Sequence, residues 1–226
     1  MAVVSTQTKT VTTPSAPGVK PKLRGWLHAG MFPVMLVAGL ALIIFAPTLV
    51  GRIGTGIYLL TALQLFGMSA IYHRGNWSPE QLATFRRIDH SNIFIFIAGT
   101  YTPLCLTLLE GNSRLILLIL IWSIGIAGVF FRIFWLSAPR WLYSMLYVAM
   151  GWVALWWLPT FWVSGGPVIV LLLIAGGVIY SLGAVAYAAK KPNPNPEWFG
   201  FHEVFHSATI LAALCHYTAI VLAIFS

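Results

Sequence analysis

The chain has 226 residues, 59% of them hydrophobic and only 8% charged, with a formal net charge of +8 and a mean hydropathy of +0.85. A water-soluble domain of this length could not hide so much apolar surface and still cover itself with polar groups, so the bilayer must be its solvent. The positive balance invites a nucleic-acid partner, but the placement of the charges, given below, argues for membrane topology instead.

Residues Met1–Gly25 are rich in Thr, Pro, Ser and Lys. They lack the apolar stretch of a secretory signal, which predicts a disordered cytoplasmic tail over 1–25. A spanning helix needs roughly 20 mostly apolar residues, and seven such runs follow: Leu27–Pro47, Ile53–His73, Ile88–Leu109, Arg114–Phe134, Arg140–Pro159, Val168–Ala189 and Phe201–Phe225. Short connections make consecutive helices neighbours. The expected fold is therefore an all-α membrane protein, a seven-transmembrane helix bundle forming one domain over 26–226. Lys190–Glu197 (KKPNPNPE) is a Pro/Asn loop that cannot continue a helix. Cys105 and Cys215 fall inside spans with no metal-ligand spacing, and packing is their expected role.

With the N-terminus inside, the inner segments hold eleven of the 13 basic residues: Lys9, Lys20, Lys22, Arg24, Arg74, Arg86, Arg87, Arg132, Arg140, Lys190 and Lys191. The outer segments hold only Arg52 and Arg114. This positive-inside bias places the N-terminus in the cytoplasm and the C-terminus outside, in the cell's inner (plasma) membrane. Anionic lipid headgroups at the cytoplasmic loops account for the surplus charge, with no nucleic-acid partner.

That topology gathers five polar residues at one depth. Ser69 and His73 close the second span on the cytoplasmic side, Asp89 opens the third, and His202 and His206 open the seventh. His202 and His206 stand four apart on one helix face and can reach a single ion, with His73 as a third nitrogen from another helix. Three neutral imidazoles around Zn²⁺ leave a fourth position open, the pattern of a catalytic site, where water is acidified. Asp89 would orient that water or act as general base, and Ser69, one turn deeper than His73, would hydrogen-bond the water or a reacting carbonyl.

Blander readings compete residue by residue. His28, His90 and His216 read as interfacial or packing histidines, and Glu80, Glu110 and Glu197 as solvated loop acids. Asp89 alone would pass for an N-terminal acid favoured by the helix dipole. Ionisable groups within spans are costly, however, and usually functional. A sharper rival is His202-Glu203-Val204-Phe205-His206, which spells H-E-x-x-H, the metalloprotease pattern in which the glutamate is general base. In either reading the remaining ligand must come from His73 or Asp89. Haem ligation suits an i,i+4 pair on one helix less well than a small ion does.

The segments SAIYH (Ser69–His73), RIDHSNIFIFIAGTYTP (Arg87–Pro103) and FGFHEVFH (Phe199–His206) resemble the hemolysin III proteins, the bacterial branch of the progestin and adipoQ receptor family. The resemblance extends from His28 to the C-terminus. It implies a seven-helix bundle with a cytoplasmic N-terminus and zinc held by His73, His202 and His206 near the inner face. It also implies that Asp89 lies near the zinc-bound water and that Ser69 is the serine of an S-x-x-x-H motif. The adiponectin receptors of that family are associated with ceramidase-like hydrolysis, and the position matching Glu203 is not glutamate in them, which argues against the protease. The short N-terminal tail does not resemble the receptors' cytoplasmic domain, so hormone reception is not carried over. The leading expectation is a zinc-dependent hydrolase of a lipid amide or ester, with a membrane lipid as substrate. The alternative is a pore-forming, transport or membrane-homeostasis protein whose zinc is structural.

Overall fold

The computed structural model describes residues 20–226, and the expectation of a disordered tail falls, for residues 1–19, outside them. The helices are α1 (Trp26–Phe45), α2 (Leu49–Arg74), α3 (Pro79–Leu108), α4 (Gly111–Phe134), α5 (Arg140–Gly151), α6 (Leu158–Ala189) and α7 (Phe201–Phe225), with a 3-10 segment, Trp152–Trp157, joining α5 to α6. Among the described residues, the β structure is one isolated bridge, Asn195–Phe199. By length and composition six helical runs can cross a membrane, because Arg140–Ala189 counts as one run of 50 residues.

The helix starts are set by local chemistry. The Thr48 hydroxyl accepts the Gly51 N–H at 3.0 Å to open α2. Ser78 and Gln81 form a reciprocal capping box around Pro79, at 3.1 and 3.3 Å, to open α3. That box starts α3 well before Ile88, where the apolar run begins. The expected boundary between the fifth and sixth spans also moves. Pro159 sits in the first turn of α6 rather than ending a helix, as suits a residue with no N–H to lose. The helical path instead breaks at Gly166 (φ 79°, ψ 174°), a conformation open to glycine, just before Pro167.

Between α5 and α6, the Tyr101 hydroxyl donates to the Gly151 carbonyl at 2.7 Å and accepts the Ala154 N–H at 2.9 Å. A tertiary contact from α3 thus holds the chain in its 3-10 turn. α3 is the central helix: 72% of its most apolar window is buried, against 28% for α1 and for α4. Small residues let its neighbours approach closely. A Cβ on Gly54 of α2 would stand 2.8 Å from the Pro103 Cα of α3. Gly183 of α6 lies directly against Ala208 of α7. The outward faces carry Val37, Ile44, Leu60, Ile119, Leu171 and Val185, all exposed, as a lipid-facing surface requires.

Residues 20–25 do not form a free tail. The Lys22 N–H donates to the Glu197 carbonyl at 2.9 Å and the Leu23 N–H to the Trp198 carbonyl at 3.2 Å, so this strap pairs with the loop before α7. Unmet backbone donors find partners there, which is why the tail expected to run to Gly25 is ordered over its last residues.

Candidate metal centre

Three helix ends build the site. His73 occupies the last turn of α2 with Ser69 one turn before it, while His202 and His206 occupy the first two turns of α7. Asp89 lies ten residues into α3, nearly three turns from its start. Its reading as an N-terminal acid favoured by the helix dipole therefore fails, because the dipole effect is confined to the first turn.

One ring nitrogen from each of His73, His202 and His206 lies within 4.8 Å of the others. The ring centroids are 4.7 Å apart for His73–His202, 4.6 Å for His202–His206 and 5.2 Å for His73–His206. Ligands on a tetrahedral zinc sit roughly 3.3 Å apart, from Zn–N bonds of about 2.0–2.1 Å, so modest side-chain rotation closes the triad on an ion. The donor set fits a metal on a second ground. His73 Nε2 and His206 Nδ1 are buried with no hydrogen-bond partner, a costly condition for imidazole nitrogens that coordination relieves. Asp89 Oδ2 stands 3.9 Å from His73 Nε2. Ser69, Asp89, His202 and His206 line one cavity of about 20 Å³, room for about one water molecule. All five expected residues thus meet, from three helices.

Glu203, the base of the H-E-x-x-H reading, is turned elsewhere. Its side chain is fully buried, its Oε1 is ion-paired with Arg24 Nε, and its Oε2 accepts the Gly200 N–H at 2.9 Å. The carboxylate therefore reaches back to cap α7 and to anchor the strap. Gly25, next in the strap, adopts φ 82° and lies so close to α2 that a Cβ there would stand 2.8 Å from the His73 Cβ.

Two residues read from the sequence as packing histidines also line this cavity, His28 and His90. His28 stacks on His206, with ring centroids 3.9 Å apart and an interplanar angle of 9°, and both its ring nitrogens are buried without a hydrogen-bond partner. The signal was present in the topology, since the start of α1 lies at the same face as the starts of α3 and α7. His90 was masked by its neighbour Asp89. His216, read the same way, lines a second cavity of about 90 Å³. That cavity is walled by Phe96, Tyr101, Trp152, Phe161 and Ile174 and is adjacent to the first, with Leu65, Ile93 and Thr209 lining both.

Fold and site together define a multi-pass helical membrane protein with a histidine cluster able to hold a metal ion. The model of the haemolysin-III related family matches residues 18–217, and the chain belongs to that family. It is 28% identical over 177 residues to a hemolysin-3 of Bacillus cereus, covering 76% of this chain and 80% of that protein. To a hemolysin-3 homolog of Bacillus subtilis it is 36% identical over 115 residues, which span 50% of this chain and about half (54%) of the relative. More distantly it is similar to an adiponectin receptor protein of Drosophila melanogaster, 22% identical over 75% of this chain and 42% of the receptor.

Proposed function

We propose that this protein is a zinc-dependent hydrolase of a lipid amide or ester, ceramidase-like in its reaction and seated in the plasma membrane with its site near the cytoplasmic face. The observation that carries the reading is the adjacency of the two cavities. A water-sized chamber bounded by His202, His206, Asp89 and Ser69 shares the walls Leu65, Ile93 and Thr209 with an apolar chamber of about 90 Å³. An acyl chain in the apolar chamber would bring its carbonyl to the polar one.

His73, His202 and His206 would hold the zinc, whose Lewis acidity polarises a carbonyl and acidifies water. Asp89 Oδ2 accepts a proton from the attacking water and returns it to the departing amine or alcohol as the acyl C–N or C–O bond breaks. Ser69 orients the Asp89 carboxyl. The surrounding apolar walls keep bulk water from the reacting centre.

The 50-residue run Arg140–Ala189 would be about 75 Å long as a single helix, far beyond a hydrocarbon core of about 30 Å. We read the break at Gly166 as the turn between two crossings. Seven crossings result, with the N-terminus cytoplasmic and the C-terminus outside, in keeping with the distribution of basic residues.

Asp89→Asn separates this reading from its rival. The variant is expected to keep its metal and lose at least a hundredfold in turnover of an N-acylsphingosine or acyl ester in detergent or nanodiscs. Full turnover by the variant would defeat the mechanism. The second reading, a structural metal in a pore or homeostasis protein, is favoured by one observation: α2 packs mainly on α1 and α3 and α7 mainly on α6, so an ion between His73 and the α7 pair would tie helices otherwise weakly joined. It predicts that metal removal lowers thermal stability while Asp89→Asn is silent.

A further inference from the structure

Arg132, in the last turn of α4, is the largest fully buried side chain in the bundle, and no carboxylate pairs with it among the described residues. A guanidinium buried in the protein without an opposite charge beside it is costly. Its Cζ lies 4.4 Å from the Tyr143 ring centroid, and one terminal nitrogen donates to the Trp135 carbonyl at 3.3 Å. The other makes the short bond, 2.7 Å, to His90 Nδ1.

That bond has only one chemical form. A guanidinium donates and never accepts, so His90 Nδ1 must present a lone pair. The imidazole is therefore neutral, with its proton on Nε2. The ring is also held in place: Tyr143 packs against it with centroids 5.4 Å apart, and the Tyr147 hydroxyl donates to the His90 carbonyl at 2.9 Å. Ring geometry sends Nε2 away from Arg132, and His90 lines the same chamber as Ser69, Asp89 and His206. An ionised Asp89 only accepts hydrogen bonds, whereas an acyl carbonyl under attack needs a donor for the charge growing on its oxygen.

We infer that Arg132 locks His90 as its Nε2–H tautomer, and that His90 is the donor that holds the carbonyl oxygen of a bound acyl group. His90 is then a catalytic residue and Arg132 a positioning residue. The donor role rests on the lipid-hydrolase reading; the tautomer does not.

The test uses the full chain in nanodiscs, metal-free, labelled with ¹⁵N-histidine, and read by long-range ¹H–¹⁵N correlation with His90 assigned from His90→Phe. Wild type is expected to show an unprotonated Nδ1 and a protonated Nε2 at His90. Arg132→Met, which removes the donor, is expected to let the Nδ1–H form appear, and Arg132→Lys to restore the wild-type pattern. Addition of N-methylpalmitamide is expected to move the Nε2–H resonance downfield, while hexadecane leaves it in place. His90→Phe is expected to bind N-methylpalmitamide about five- to tenfold more weakly, the worth of about one hydrogen bond, and hexadecane equally well. A wild-type proton on Nδ1, or equal amide binding by His90→Phe, would overturn the inference and leave the lipid reading intact. If neither probe binds, the lipid reading fails and the donor role falls with it.

Discussion

Replacing Glu203 with glutamine separates a structural carboxylate from a catalytic one. Glutamine keeps an oxygen that can accept the Gly200 N–H, so the cap on α7 survives. What disappears is the charge opposite Arg24. Removing one member of a fully buried ion pair costs about 3–5 kcal/mol. Here the Glu203 side chain is 0% exposed and that of Arg24 is 17% exposed, so water recovers part of the loss and the expected cost falls to about 1–3 kcal/mol. For a chain of this size that is a fall in melting temperature of roughly 3–10 °C. Thermal unfolding of the purified variant in detergent, with metal content and lipid hydrolysis measured on the same sample, is the assay. Arg24→Met should lower stability comparably, and the double variant should lose less than the two singles combined. An unchanged melting temperature with abolished hydrolysis would refute the account and restore Glu203 as the general base of an H-E-x-x-H site.

Gly25→Val forces a β-branched residue into φ 82° and against His73. It is expected to cost at least about 1–2 kcal/mol and to weaken metal binding, read by competition with a chromophoric chelator; an unaltered affinity would free His73 from the strap. Thr209→Trp adds bulk at a wall common to the two chambers and is expected to block binding of a long-chain amide without changing metal content, as equilibrium dialysis would show. In a background lacking Cys105 and Cys215, Ser164→Cys should react with a membrane-impermeant maleimide in intact cells and Asn193→Cys only after permeabilisation. Labelling of both from one side would rule out a turn at Gly166.

The parts of the site written in short-range pattern were legible in the sequence. His202 and His206 share a face by spacing alone, and the bias of basic residues brought Ser69, His73 and Asp89 to the same depth. The start of α3 was hidden because the polar stretch from Pro79 to Arg87 looks like a loop to an apolar-run criterion, while the capping box that makes it helical is a local signal of another kind. Long-range contacts were out of reach. Arg24 and Glu203 are 179 residues apart, so the letters H-E-x-x-H could not reveal that the glutamate is already engaged. Arg132 finds His90 across 42 residues, and the turn at Trp152–Trp157 depends on Tyr101 from α3. The Arg140–Pro159 run reads as one uninterrupted helix because nothing within it marks that turn.

Metal analysis of purified wild type beside the His202→Ala/His206→Ala double variant addresses the centre of the account most directly. The expected result is close to one zinc per chain in wild type and almost none in the double variant, with both proteins still folded by circular dichroism. Wild type without zinc, or a double variant that retains it, would contradict the assignment of His73, His202 and His206 as the metal ligands.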